Sequence, residues 1–157
     1  MEKEVKLNNS VLMPNVGIGT YLLEPVDAEN SVFEALKMGY RLIDTANIYR
    51  NERAVGRAIK KSGVKREDIF LSTKLWPTEY ENPHAIEETL QRLQTDYIDL
   101  LFLHQPTENW REGYKQLVEA YKKGIIRSIG ISNFEGKYIE DVLKEFDVKP
   151  QVIQVEC

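Results

Sequence analysis

Apolar and polar positions first alternate with a period of two. Glu4-Val5-Lys6-Leu7 reads as a short strand, Asn8-Asn9-Ser10 as a turn and Val11-Leu12-Met13 as the returning strand. That is a β-hairpin, a lid outside the repeat that follows. The chain then alternates short apolar runs with longer stretches of helical period. Val16-Gly17-Ile18-Gly19-Thr20 is a first strand, and residues 27–38 form a helix carrying Ala28, Val32, Ala35 and Leu36 inward, stopped by Gly39. Further strands are predicted at 41–46, 69–75, 96–103, 125–132 and 152–155. Helices are predicted between them at about 52–61, from Pro83 in the first turn to about 93, at 110–123 and at 138–146. Asn51 is placed to cap the second helix, with Glu52 in its first turn. Leu100 to Leu103 is continuously apolar, which suits a strand buried on both faces.

Six strands with five helices between them give a parallel α/β sheet, either open or curled into a barrel. What favours the barrel is where the reactive side chains fall. Asp44 ends the second strand, Tyr49 follows five residues on, Lys74 ends the third strand and His104 ends the fourth. Consecutive strands bring these groups to one rim only if the sheet curls, and in a (β/α)8 barrel the C-terminal rim carries the chemistry. Taken singly, each has a plainer reading. An Asp at a strand end is a turn former, a loop Tyr is packing, and Ser132-Asn133 is a turn. It is their convergence that points to a site. Lys74 as a Schiff-base amine is a weaker alternative, because it leaves Asp44 and Tyr49 without a task.

Composition narrows the picture. The chain has 157 residues, 42% hydrophobic and 29% charged, with a net charge of −4. That is ordinary for one globular domain spanning 1–157 and argues against nucleic acid as partner. Lys60-Lys61 and Lys122-Lys123 read as solvated helix faces. No apolar segment approaches the ~20 residues of a spanning helix. The single cysteine, Cys157, allows no intrachain disulfide and fits a reducing cytoplasm. Two histidines and one cysteine offer no convincing metal cluster. Gly17 and Gly19 lack the third glycine and the immediate helix of a dinucleotide fingerprint.

With these residues in view the chain resembles the aldo-keto reductase superfamily over its whole length. The resemblance rests on Gly17-Ile18-Gly19-Thr20, Arg41-Leu42-Ile43-Asp44-Thr45-Ala46, Tyr49-Arg50-Asn51-Glu52, Ser72-Thr73-Lys74-Leu75-Trp76, Asp96-Tyr97-Ile98-Asp99-Leu100, Gly130-Ile131-Ser132-Asn133-Phe134 and Gln154-Val155-Glu156-Cys157. It looks most similar to small bacterial-type members such as the diketogluconate and glyoxal reductases. The resemblance implies a (β/α)8 barrel whose N-terminal hairpin plugs the far end. It implies reduction of aldehydes and ketones by NADPH, with NADH left open. Tyr49 would be the general acid, Lys74 would lower its pKa, Asp44 would hold Lys74, and His104 would orient the substrate carbonyl. Ser132, Asn133 and Gln154 would hold the nicotinamide carboxamide. Gly19, Thr20 and Asp44 would line the cofactor's path, and Tyr21 and Trp76 the substrate wall.

Two positions depart from the family's pattern. Arg50 stands where Gly is usual, and Gln105 follows His104 where an aromatic is common, which makes the pocket more polar. Against the family, two strands and a C-terminal loop are absent after Cys157, so the fold expected is an incomplete barrel of about six parallel strands. Its first and sixth strands would be open edges. Self-association or a complementing chain would cover them. A catalytically silent barrel fragment, or an interaction module, is therefore the alternative to a working reductase.

Overall fold

The computed structural model describes residues 4–156. β1 (Glu4–Lys6) and β2 (Leu12–Pro14) form an antiparallel hairpin. The repeat begins at β3 (Gly17–Gly19) and runs through α1 (Pro25–Lys37), β4 (Leu42–Asp44), α2 (Glu52–Ser62), β5 (Phe70–Leu75), α3 (Ala85–Leu93), β6 (Leu100–Leu103), α4 (Trp110–Lys122), β7 (Ile129–Ser132), α5 (Lys137–Glu145) and β8 (Val152–Gln154). The sheet order is β3-β4-β5-β6-β7-β8, every pairing parallel. It is a curled half-barrel, an incomplete (β/α)8 fold.

Every expected element is present, and the differences are local. The strands are shorter than their apolar runs, because the flanking residues serve turns; before β6 and β7 only a bridge from Ile98 to Ile126 persists. Pro83 lies in the turn ahead of α3 rather than in its first turn, and His84 occupies the N-cap. Asn51 precedes α2 but makes no side-chain cap, since its Oδ1 accepts from the Thr20 and Thr45 hydroxyls instead. Glu52 stands in the first turn of α2, as expected. It is buried between Thr73 (2.6 Å) and Arg92 (2.6 Å), tying α2 to β5 and α3.

The strand residues divide by the pleat. Ile43, Leu71, Leu75, Leu101, Leu103, Ile129 and Ile131 join the main core, together with Val32, Leu36 and Val55 from α1 and α2 and Trp110, Leu117 and Val142 from α4 and α5. Leu42, Phe70, Leu100, Phe102 and Val152 share a second, smaller cluster with Val11 and Met13 of the hairpin. Gly130 is needed there, because a Cβ at this position would lie 2.2 Å from the Phe102 ring. The hairpin is bound by Asn8 to the carbonyl of Pro150 (3.1 Å) and by Asn9 to that of Arg127 (2.9 Å). It therefore closes the end where β7 and β8 begin, leaving the opposite rim open.

Candidate active site

The reactive groups of the open rim come from three successive strand ends. Asp44 is the last residue of β4, and the chain then turns through a single 3₁₀ turn, Asn47–Tyr49, that sets Tyr49 above the strand. Lys74 is in β5, and His104 follows β6 with its amide bonded to the carbonyl of Leu75 (3.0 Å). The Lys74 ammonium, 2% exposed, lies 2.5 Å from Asp44 Oδ2 and 3.0 Å from the carbonyl of Thr45. Ser72 Oγ donates to the other Asp44 oxygen at 2.8 Å. A buried ammonium is tolerable only when paired and hydrogen-bonded in this way. The same ammonium sits 5.5 Å from the centre of the Tyr49 ring.

His104 stands edge-on to both Tyr49 (centroids 5.9 Å apart) and Trp76 (5.1 Å), and Tyr21 leans against Tyr49 at 5.1 Å. Burial, and then the positive charge of Lys74, hold the His104 imidazole down at about 4. At neutral pH it is uncharged, able to donate from one nitrogen and accept at the other. Its Nδ1 is buried with no hydrogen-bond partner. Burial, then the charge of Asp44 and the neighbouring Tyr21, push the Tyr49 phenol up to about 12. This runs against the expectation that Lys74 lowers it. The ammonium's charge is spent on Asp44 at contact distance, so burial of the ring dominates.

One cavity of about 980 Å³ gathers Tyr21, Tyr49, Lys74, Trp76, His104, Ser132, Asn133 and Gln154. Gly19 and Asp44 face a second, adjoining hollow of about 520 Å³ along the inner face of the sheet, which Gln154 also lines. Thr20 lines neither. Its hydroxyl is buried and bonded to Thr45 Oγ1 (2.8 Å) and Asn51 Oδ1 (3.2 Å). Asn51 Nδ2 in turn donates to the carbonyls of Thr20 (2.8 Å) and Leu23 (3.0 Å). This knot fixes the loop that carries Tyr21 against the turn that carries Tyr49.

Reading the residues alone left out several supporting groups. Ser72 orients Asp44, Asn47 Oδ1 accepts from the Trp76 amide at 2.9 Å, and the Tyr80 hydroxyl bonds both the amide (3.0 Å) and the carbonyl (2.9 Å) of Gln105. Only Ser72 carried a signal: it lies two positions before Lys74 and so shares its face of β5. Asn133, at φ 61°, is left-handed, and its amide bonds the carbonyl of Gln154 at 2.8 Å, joining the ends of β7 and β8. Among the described residues no cluster of three or more His, Cys, Asp or Glu could hold a metal, and no helix is long and apolar enough to cross a membrane.

A curled parallel sheet thus carries a Tyr, a Lys–Asp pair and a neutral His on its C-terminal rim. Residues 15–157 match the aldo/keto reductase family, and the chain belongs to that family, among its small bacterial-type members. It is 45% identical to the glyoxal reductase of Bacillus subtilis (strain 168), across 99% of this chain and 58% of that protein. It is 37% identical to the methylglyoxal reductase DkgA of Escherichia coli (strain K12), across 97% of this chain and 57% of that one. The crystal structure of an aldo/keto reductase from Brucella melitensis superposes with a TM-score of 0.93 at 41% identity, covering 98% of this chain and 62% of that chain. The chain thus spans a little over half the length of the curated relatives it matches.

Proposed function

We propose that the protein reduces small aldehydes and ketones, dicarbonyls such as glyoxal and methylglyoxal among them, to alcohols with NADPH. The observation that carries this reading is the Lys74–Asp44 pair set beneath Tyr49, with neutral His104 edge-on to the same ring. A bound dihydronicotinamide supplies the hydride. Ser132, Asn133 and Gln154, which line the same cavity with hydroxyl and amide groups, suit its carboxamide.

The protein's own residues handle the oxygen. As hydride adds to the carbonyl carbon, the π electrons move onto oxygen, and the Tyr49 phenol gives that oxygen its proton. A phenol near 12 is fully protonated at neutral pH yet more acidic than an alcohol, so transfer to the alkoxide runs downhill. Asp44 and Ser72 keep the Lys74 ammonium in place beneath the ring. His104, neutral, donates a hydrogen bond that fixes the carbonyl before transfer. Tyr21 and Trp76 wall the approach. The same reading puts the reaction in the cytoplasm, which fractionation of producing cells tests.

The direct test is incubation with methylglyoxal and NADPH, in parallel with NADH. The expected result is nucleotide consumption matched one for one by alcohol product and faster with NADPH. No consumption with any small aldehyde contradicts it.

A second reading is supported by the outer strands. Ile153 and Val155, at and beyond β8, are each 48% exposed, and β3 and β8 have one strand partner each among the described residues. Such edges favour self-association or a complementing chain. Light scattering decides: a concentration-independent monomer removes this reading.

A further inference from the structure

Resting on the reductase reading, we propose that Arg50 selects carbonyl substrates that carry an anionic group. Arg50 follows Tyr49 directly and lines the same cavity. Of the two basic side chains there, Lys74 has its charge committed to Asp44, whereas the guanidinium of Arg50 has no ion pair or hydrogen bond among the described residues. Its backbone is left-handed, at φ 58°, held by an amide bond to the carbonyl of Asn47 at 3.2 Å. Glycine meets that conformation without steric cost. A long cationic side chain is instead held at the mouth, one residue from the proton donor. Gln105 lines the same cavity. Tyr80 occupies its backbone groups, and its side-chain amide has no partner among the described residues.

Guanidinium and amide donors together match a carboxylate or phosphate carried a few bonds from the reacting carbonyl. Ile48 and Trp76 supply apolar contact for the carbons between. Two carboxylates also line the cavity, Glu24 where α1 starts and Glu156 beyond β8. They belong to other elements than the Tyr49 turn.

The test compares succinic semialdehyde with butanal, which lacks the carboxylate, on the protein and on Arg50→Gln and Arg50→Lys. In Arg50→Gln the ratio of kcat/KM for the two substrates is expected to fall about tenfold, the scale of one charge-assisted hydrogen bond. Arg50→Lys recovers part of it, and added salt erodes the ratio in the unaltered protein. A ratio within twofold of the unaltered value overturns the proposal. So does a comparable loss of NADPH affinity, which would assign Arg50 to the cofactor. If neither aldehyde is turned over, the reductase reading fails separately. Calorimetric binding of succinic semialdehyde then decides: a tenfold weaker Kd in Arg50→Gln supports the anion site, and an unchanged Kd overturns it.

Discussion

The middle of the sheet and its two margins are built from the same strand–helix unit and end up in different states. β4, β5, β6 and β7 each have a strand on both sides, and α4 packs Trp110 and Leu117 into the core they share. β3 and β8 each have one neighbour, and Ile153, on β8, is 48% exposed where Ile131, its register partner on β7, is fully buried. All four groups proposed to handle the proton lie on or just beyond β4, β5 and β6, each paired on both sides. The residues proposed to meet the cofactor straddle the middle and the margins, since Gly19 and Gln154 lie on β3 and β8. On the proposed reading, the proton-handling groups are set where the sheet is paired on both sides, and the cofactor-holding residues reach toward its margins.

The comparison is broken most forcefully in the middle. Asp44→Leu leaves the Lys74 ammonium buried without its counter-charge, and chemical denaturation should show a loss of about 3–5 kcal/mol. A loss below ~1 kcal/mol would mean that Lys74 reaches water instead. Next comes a matched pair. Ile131→Ala should cost about 2–5 kcal/mol, as buried large-to-small changes do, whereas Ile153→Ala should cost less than ~1 kcal/mol. Equal costs would show that β8 is covered in solution, the signature of association.

A smaller effect concerns pH. His104 titrates near 6.5 when unfolded and about 4 when folded, so the unfolded chain binds the extra proton first. Stability from this residue is complete above about 6.5 and is lost as pH falls toward 4, by on the order of 2 kcal/mol. His104→Gln should flatten that part of the stability–pH curve. An unchanged curve would place the imidazole in water.

Most of this architecture was legible from periodicity. Ile43, Leu71, Leu101 and Ile131 alternate with Asp44, Ser72, Phe102 and Ser132, and period two assigns the first set to the helices and the second to the inside of the curl. The catalytic candidates were legible because they stand at successive strand ends. The bonds of Asn51 and Glu52 were not. Both looked like helix-start residues, and local pattern favours a cap, but Thr20, Leu23 and Arg92 lie 31, 28 and 40 positions away in sequence. Only the closed fold brings those partners within reach. The upward shift of Tyr49 was hidden for a related reason. A lysine near a phenol suggests a lowered pKa until the lysine's own partner and the depth of burial are known.

The account's central claim is that Tyr49 delivers the proton on a rim where Lys74, Asp44 and His104 are already assembled. It is tested most directly by NADPH-driven methylglyoxal reduction in Tyr49→Phe beside the unaltered protein, with dinucleotide binding measured on both. The phenyl ring keeps its contacts with Tyr21 and His104 and loses only the acid. Turnover is expected to fall at least ~10²-fold, the lower bound for a general acid, with dinucleotide affinity unchanged. Turnover that survives within a few-fold would contradict the claim and move the proton donor elsewhere on the rim.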